Sequence, residues 1–358
     1  SSRRYTPTAL SCQRTLAPWR APLHNGRVPD TRAIALQIAA VTGLDPRSVL
    51  AVFDGRPVRR STRTAVEVAA KKLLRDVAAW QAAEGYPLQF FTEASLNLAE
   101  DDELMELMVA ANIVVVFIGI ETPNEESLIE TKKFQNVRSA GTIVDRVRKV
   151  QDAGLEVWCG MIVGFDHDDT RIFKAQGEFI RQTDIMHAMV GMLSAIPKTP
   201  LHARLKSEGR LDLNDEQQFG TNVIPLGMTR EELRDGYIGL MEDLYDADDY
   251  FDRFENLYLT RRFDFARVRN AYWRRHPLKK WKSQSVDGLR ARGLFLRLMI
   301  NVPDPTLRRI YRRRMATILR RRPDPNLMLI AVVKCATHYH HHTMSRQMAE
   351  RQTLVNTF

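Results

Sequence analysis

Apolar positions along the chain switch between two periods, and the switches mark alternating strands and helices. Val66, Ala69, Ala70, Leu73, Leu74, Val77 and Trp80 recur at helical spacing from Ala65, and the pattern stops near Gly85 and Pro87. Leu88 to Ala94 (LQFFTEA) then reads as a strand, and Asp101 to Ala111 as a helix with Leu104, Leu107 and Met108 toward the core. The run Ile113 to Pro123 (IVVVFIGIETP) has no polar interruption before Glu121, the pattern of a parallel strand buried on both faces. A helix follows over Ser139 to Ala153, closing at Gly154, then a strand over Glu156 to Gly164 and a helix over Thr170 to Gln182. The last strand, Ala188 to Ala195, leads into Pro197-Lys198-Thr199-Pro200-Leu201. Strands separated by helices of this length imply right-handed βαβ crossovers, and hence a parallel sheet or barrel.

The two ends of the chain read differently. Residues 1 to about 68 are rich in Arg, Pro, Thr and Ala, with an expected helix at Thr31 to Thr42 and an expected short strand at Ser48 to Asp54. Beyond about Leu211 long helical patterns take over, beginning at the capping signature Thr229-Arg230-Glu231-Glu232.

At 358 residues, 44% hydrophobic and 27% charged, the chain is long enough for one large core and a smaller second domain. Its net charge of +10 is concentrated at the two ends. Arg3, Arg4, Arg14, Arg20 and Arg27 precede the first acid, Asp30; without an amphipathic pattern or an initial Met, this opening is expected to be a truncated or altered terminus rather than a transit peptide. An acidic aromatic patch (Glu242 to Glu255) precedes a basic tract (Arg261 to Arg322) in which Tyr272, Trp273, Trp281 and Tyr311 interleave with Arg and Lys. That mixture suits anionic lipid, nucleic acid or an acidic partner. It equally suits solvated helix faces with the aromatics turned inward. With no secretory or membrane-spanning segment in the sequence, the cytoplasm is the expected compartment. The cysteines Cys12, Cys159 and Cys335 lie too far apart for a disulfide framework or a self-contained zinc or iron-sulfur site.

Glu121 is the first charge beyond the central apolar run, and parallel α/β folds meet their ligands just past the carboxyl ends of strands. The alternative is that Glu121 only caps the next helix. His338 and His342, at i, i+4, are spaced for a metal but have no nearby third ligand, so surface or interface histidines are expected. Asp166-His167-Asp168-Asp169 is expected to cap amides rather than bind a cation.

Thr92-Glu93-Ala94-Ser95, Gly119-Ile120-Glu121-Thr122-Pro123, Met161-Ile162-Val163-Gly164-Phe165-Asp166 and Pro197-x-Thr199-Pro200-Leu201 resemble, in order and spacing, the later strand ends of the radical S-adenosylmethionine (SAM) enzymes. The resemblance is to members that carry an upstream cobalamin-binding domain and a helical C-terminal domain of unknown function, and it runs from about Ala69 to the C-terminus. It implies an α/β fold: a partial (βα) TIM-like barrel of parallel strands over 69–210, followed by an all-α domain over 211–358. Residues 1–68 would be a degenerate or truncated first part of the barrel. It implies SAM and a [4Fe-4S] cluster as cofactors, cobalamin in an absent upstream domain, and radical chemistry on a hydrophobic or lipid-like substrate. Glu121 and Gly119 would lie near the SAM ribose or methionine, Thr92 and Glu93 at the neighbouring strand end, and Val163 with Gly164 under the adenine. Thr92 and Glu93 equally suit a polar pair at the barrel mouth without ligand contact, and Gly164 a strand-ending turn.

The chain departs from that family where the cluster should be held. The family's CxxxCxxC loop is absent, and Cys12 stands alone in its place. Gly26-Arg27-Val28-Pro29 and Ser48 to Asp54 still resemble family sequence, while the text between them reads as frame-shifted or degenerate. The expectation is a family member inactive as this polypeptide. Two other readings stay open: a non-catalytic protein using the basic helices to hold a membrane surface or, less expected, nucleic acid; and a TIM-like enzyme with Glu93 and Glu121 as acid and base.

Overall fold

The computed structural model describes residues 44–53, 58–130, 141–212 and 219–351. Cys12, the expected helix at Thr31 to Thr42 and the fragment Gly26 to Pro29 lie outside them. The chain divides into two units, residues 1–93 with 106–113, and residues 94–105 with 114–358. Helix and strand alternate as a mixed α/β protein.

In the first unit, α1 (Pro46–Phe53) packs on α2 (Arg60–Glu84), with Val49 and Val66 buried against Leu44, Leu50 and Ala69. Of the strand expected at Ser48 to Asp54, Ser48 to Phe53 is therefore helical, and Asp54 lies outside the described residues. Asp45 Oδ1 accepts from the Arg47 amide at 3.0 Å and Pro46 occupies the first helical position, a start signal that outweighs local β-branching. α2 closes at Gly85, whose φ of 81° lets its amide donate back to Gln81 O. Gln81, fully buried, donates to Leu88 O at 2.8 Å and Ala111 O at 3.1 Å, fixing the entry to β1 (Phe90–Ala94).

The second unit carries the parallel pairings. β2 (Ile113–Glu121), β3 (Glu156–Val163) and β4 (His187–Met192) lie side by side in that order. α3 (Asp102–Ala110) precedes β2, and α4 (Glu125–Glu130), α5 (Ile143–Ala153) and α6 (Arg171–Thr183) run between the strands. α5 starts at a full capping box between Thr142 and Asp145. One side of the strands is closed: Val116, Ile118, Ile120, Val157, Cys159, Met161, Val163, Ala188 and Val190 are buried. The other side is only half-buried, with Phe117 and Gly119 on β2, Gly160 and Ile162 on β3, and Gly191 on β4, while Met189 is exposed.

Beyond β4 come α7 (Pro200–Ser207), α8 (Arg230–Leu244), α9 (Ala247–Phe254), α10 (Asn270–Arg275), α11 (Pro277–Asn301), α12 (Pro305–Arg321) and α13 (Pro325–Arg351). α8 is tied to β4 by Tyr237 Oη donating to Val190 O and Tyr245 Oη to Ala188 O. α13 reaches the start of β3, where Lys334 pairs with the buried Glu156, which also accepts from Trp158 Nε1 (3.0 Å) and Tyr258 Oη (2.8 Å). Among the described residues no helix is long and apolar enough to cross a membrane.

Candidate functional site

β2 ends in an irregularity. Its register with β3 runs residue for residue from Val115 opposite Glu156 to Gly119 opposite Gly160, then jumps to Glu121 opposite Met161, leaving Ile120 as the extra residue of a bulge. Glu121 has a φ of 68°, and the Thr122 amide donates across it to Ile120 O at 3.0 Å, a γ-turn with a left-handed centre. Holding a non-glycine residue there costs on the order of 1–3 kcal/mol, a strain that clusters at functional sites. The next turn has its own caps: Thr122 Oγ1 accepts from the Asn124 amide at 3.2 Å, and Asn124 Oδ1 from the Glu126 amide at 3.0 Å. Capping of α4 thus falls to Asn124.

The turn after β3 is organised by Asp168. Its Oδ2 accepts from the amides of Gly164 (3.0 Å) and Phe165 (3.1 Å), and its Oδ1 from Ser127 Oγ (3.0 Å). Burial raises this carboxyl above its ordinary value, and those hydrogen bonds act against the rise. Asn124 Nδ2 donates to His167 O at 3.2 Å. Asp166 accepts from Arg204 (2.5 Å) and Arg210 (2.6 Å), while Arg204 also donates to Glu130 at 3.1 Å. Burial alone would raise the Asp166 carboxyl, but the two guanidiniums outweigh it and hold it below the usual value. Burial and then the Asp166 charge raise Glu130. After β4, Asn222 exchanges two hydrogen bonds with the Ala195 backbone, at 2.8 and 3.0 Å. Half-buried and buried polar bonds therefore bind the segments after β2 and β3 to each other and brace the segment after β4.

Of the candidate residues, Gly119, Glu121, Val163 and Gly164 lie at the same end of two adjacent strands. Glu121 is half-buried at the end of β2, and Gly119 belongs to the half-buried side of the strands. Val163 is fully buried on the closed side. Gly164 has a φ of 94°, and a Cβ there would meet Leu233 of α8 at 3.1 Å, so its lack of a side chain serves helix packing. Thr92 and Glu93 belong to β1 in the first unit; Thr92 is half-buried, Glu93 exposed, and Thr92 Oγ1 donates to Glu93 O at 3.3 Å. The half-buried side supplies what the sequence reading missed. Gly119 faces Gly160, Gly191 faces Ile162, and nothing lies within 4 Å of a Cβ built on Gly191. This apolar floor lies beside one strand-end carboxylate and is covered at Gly160 by the Phe117 ring, whose Cζ a Cβ there would meet at 2.9 Å.

The other two polar features are structural. Asp169 Oδ1 accepts from the Arg171 amide at 2.9 Å, as capping requires, but Asp168 serves the amides before it rather than the helix after it. Of the histidines of α13, expected as surface or interface groups, His338 is packed against other helices. His338 is fully buried; its Nδ1 accepts from Tyr311 Oη at 2.7 Å, leaving Nε2 to donate to Tyr245 O at 3.2 Å. Burial lowers its pKa to about 3, and those of His341 and His187 to about 4. No group of three His, Cys, Asp or Glu side chains able to hold a metal occurs among the described residues.

A family described as a domain of unknown function (DUF4070) matches residues 199–353. The chain is 43% identical, over 51% of its length, to an uncharacterized methyltransferase of Synechocystis sp., of which it covers 34%. It is 38% identical over 44% of its length to the hopanoid C-2 methylase of Rhodopseudomonas palustris, covering 29% of that protein. It is 26% identical over 42% of its length to the bacteriochlorophyllide d C-12(1)-methyltransferase of Chlorobaculum tepidum, covering 33% of it. The chain spans about a third of the length of each of these relatives. Its resemblance is to enzymes, and specifically to methyltransferases.

Proposed function

We propose that this chain is the SAM-binding half barrel and helical domain of a radical SAM methyltransferase. The observation that carries the reading is Glu121, held in a strained left-handed turn at the end of β2 beside a floor of Gly119, Gly160, Ile162 and Gly191. A nucleoside needs acceptors for its ribose hydroxyls and an apolar bed for its ring; Glu121 offers the first, and Gly191 with Ile162 and the Phe117 ring over Gly160 the second. The bed is this floor rather than Val163 and Gly164, since Val163 is buried on the other side and Leu233 fills the Cβ direction of Gly164. The names of the relatives support methyl transfer, and the family resemblance supports a hydrophobic or lipid-like substrate. The family resemblance implies cobalamin as a further cofactor, and the widely spaced cysteines favour a reducing, cytoplasmic setting.

The residues fit the nucleoside but not the cluster. A cluster supplies the electron that cleaves SAM, and it needs three thiolates with one iron left open. Cys159 and Cys335 are buried in β3 and α13, and burial pushes both thiols far above their ordinary value, Cys159 to about 12. We therefore assign this polypeptide SAM binding without reductive cleavage.

Titration calorimetry with S-adenosylhomocysteine tests the reading. Binding is expected to be weak, and Glu121→Gln to lower it by roughly 10- to 100-fold, the loss of a charge-assisted hydrogen bond. An unchanged affinity with an altered melting temperature makes Glu121 structural and overturns the assignment.

A further inference from the structure

The long basic tract divides into two parts with different surroundings. On α12 the cations meet acids of α9 and the segment after it. Arg314 contacts Asp248 (2.7 Å), Asp252 (2.8 Å) and Glu255 (2.9 Å), Arg313 contacts Asp248 (2.9 Å), and Arg321 contacts Glu255 (3.4 Å). Three of the seven arginines of α12 are thus paired with the acidic patch, while Arg308, Arg309, Arg312 and Arg320 meet no acid among the described residues.

α10 and α11 have no such counterpart. Residues 270–301 carry eight Lys or Arg (Arg274, Arg275, Lys279, Lys280, Lys282, Arg290, Arg292 and Arg297) against one acid, Asp287. Their one ion pair among the described residues is Arg290 with Asp287, at 4.0 Å. The same helix displays large apolar side chains to solvent: Leu278 is 82% exposed, Trp281 70%, Leu289 71%, Leu296 64% and Ile300 72%. Leu278, Leu289, Leu296 and Ile300 follow at intervals of 11, 7 and 4 residues, each close to a whole number of turns, so they form one stripe. By the same intervals Lys282 and Ser285 fall on this line between Leu278 and Leu289 and Arg292 beside it, while Ala291 on the opposite side is buried. Beside it a shallow cleft of about 270 Å³ is lined by Lys279, Lys282, Ser283, Val286, Asp287 and Arg290.

We propose that α11 is an interfacial helix that docks the protein on an anionic lipid surface. Exposed apolar groups at both ends of one helix line, an exposed Trp and cations set among them are what a helix lying in the plane of a bilayer needs. The stripe enters the acyl boundary, the cations meet lipid phosphates, and the cleft accommodates a head group. Nucleic acid would use the cations but leave the aliphatic stripe in water. A second copy of this surface would bury the stripe but set eight cations against eight. The anionic membrane satisfies both features at once, and the inference holds whether or not the strand ends bind SAM.

The test is co-sedimentation of the full chain with vesicles of phosphatidylcholine alone and of equal parts phosphatidylcholine and phosphatidylglycerol. Binding is expected to the mixed vesicles only, weakening with salt, with a blue-shifted emission component that Trp281→Phe removes. The double variant Leu289→Glu with Ile300→Glu is expected to abolish binding. Lys282→Ser, Arg292→Ser and Arg297→Ser together should lower partitioning roughly a hundred-fold, about five-fold per cation. These positions are solvent-facing, and circular dichroism and S-adenosylhomocysteine affinity should match the parent chain, separating this test from that of the strand-end site. Equal binding to both vesicle types, binding that survives the two Glu substitutions, capture of an RNA oligonucleotide instead of vesicles, or a dimer broken by Leu289→Glu without vesicle binding overturns the proposal.

Discussion

A strained residue at a strand end separates stability from binding. Glu121 sits at φ 68°, where glycine rests without steric cost, so Glu121→Gly is expected to raise the unfolding free energy by about 1 kcal/mol while abolishing measurable nucleoside binding. Chemical denaturation beside calorimetry reads both; a destabilised Gly variant would mean that the side chain's own contacts outweigh the strain. Glu121 was legible in the sequence because it ends an uninterrupted apolar run, and that break survives any uncertainty about neighbours. Asp168, Arg204 and Arg210 were not. Their partners lie 38 to 44 positions away, for Arg204 and Arg210 on Asp166 and for Ser127 on Asp168, distances over which a linear pattern carries no signal.

Among the helices, α8 and the segment before it offer two glycines with opposite expectations. Gly239 has nothing within 4 Å of a built Cβ, so Gly239→Ala should stabilise by roughly 0.5–1 kcal/mol through helix propensity. Gly227, just before the helix, would place a Cβ 2.2 Å from Asp168 O, a backbone atom that cannot swing aside; Gly227→Ala should cost about 1–3 kcal/mol and disturb the turn after β3. Thermal melts of both variants decide it. α13 makes a different prediction, in pH. His338, His341 and His187 are held near 3, 4 and 4 against an ordinary 6.5, chiefly by burial. The unfolded chain takes up these protons first, so stability is full above about 6.5 and is lost as the pH falls toward 4. Each histidine should contribute about 2 kcal/mol of that loss between pH 7 and pH 5, and His338→Phe should flatten the profile by one proton. A melting temperature independent of pH over that range would contradict the buried, neutral assignment. Helical pattern located α13 correctly, but not the burial of His338, because its neighbours Tyr245 and Tyr311 come from two other helices. At α1 the reverse holds: the Asp45-Pro46 start signal was present in the sequence, and eight residues were too few for periodicity to choose helix over strand.

At the scale of the whole molecule, long-range polar contacts explain why the basic tract could not be read from composition. Arg313, Arg314 and Arg321 of α12 are paired with acids some 60 positions earlier, whereas on α10 and α11 only Arg290 meets an acid among the described residues, and only the fold distinguishes them. The cysteines show the same dependence on burial. Spacing alone argued against a three-thiolate loop, and the fold adds that Cys159 and Cys335 are 0% and 2% exposed on separate elements, leaving Cys12 as the one thiol outside the described residues. A [4Fe-4S] cluster with an open iron needs three thiolates on one loop, and deprotonating two deeply buried thiols is unfavourable at neutral pH. After anaerobic reconstitution with iron and sulfide, this polypeptide is therefore expected to show no stoichiometric cluster by absorbance or electron paramagnetic resonance. Cys159 and Cys335 should resist a thiol reagent until the chain is denatured. The two readouts separate the causes. Thiols that react in the native state but support no cluster would leave spacing as the sole obstacle, while a stable cluster in a Cys12→Ala variant would show that thiolate supply does not limit this chain and would reopen radical chemistry for the polypeptide itself.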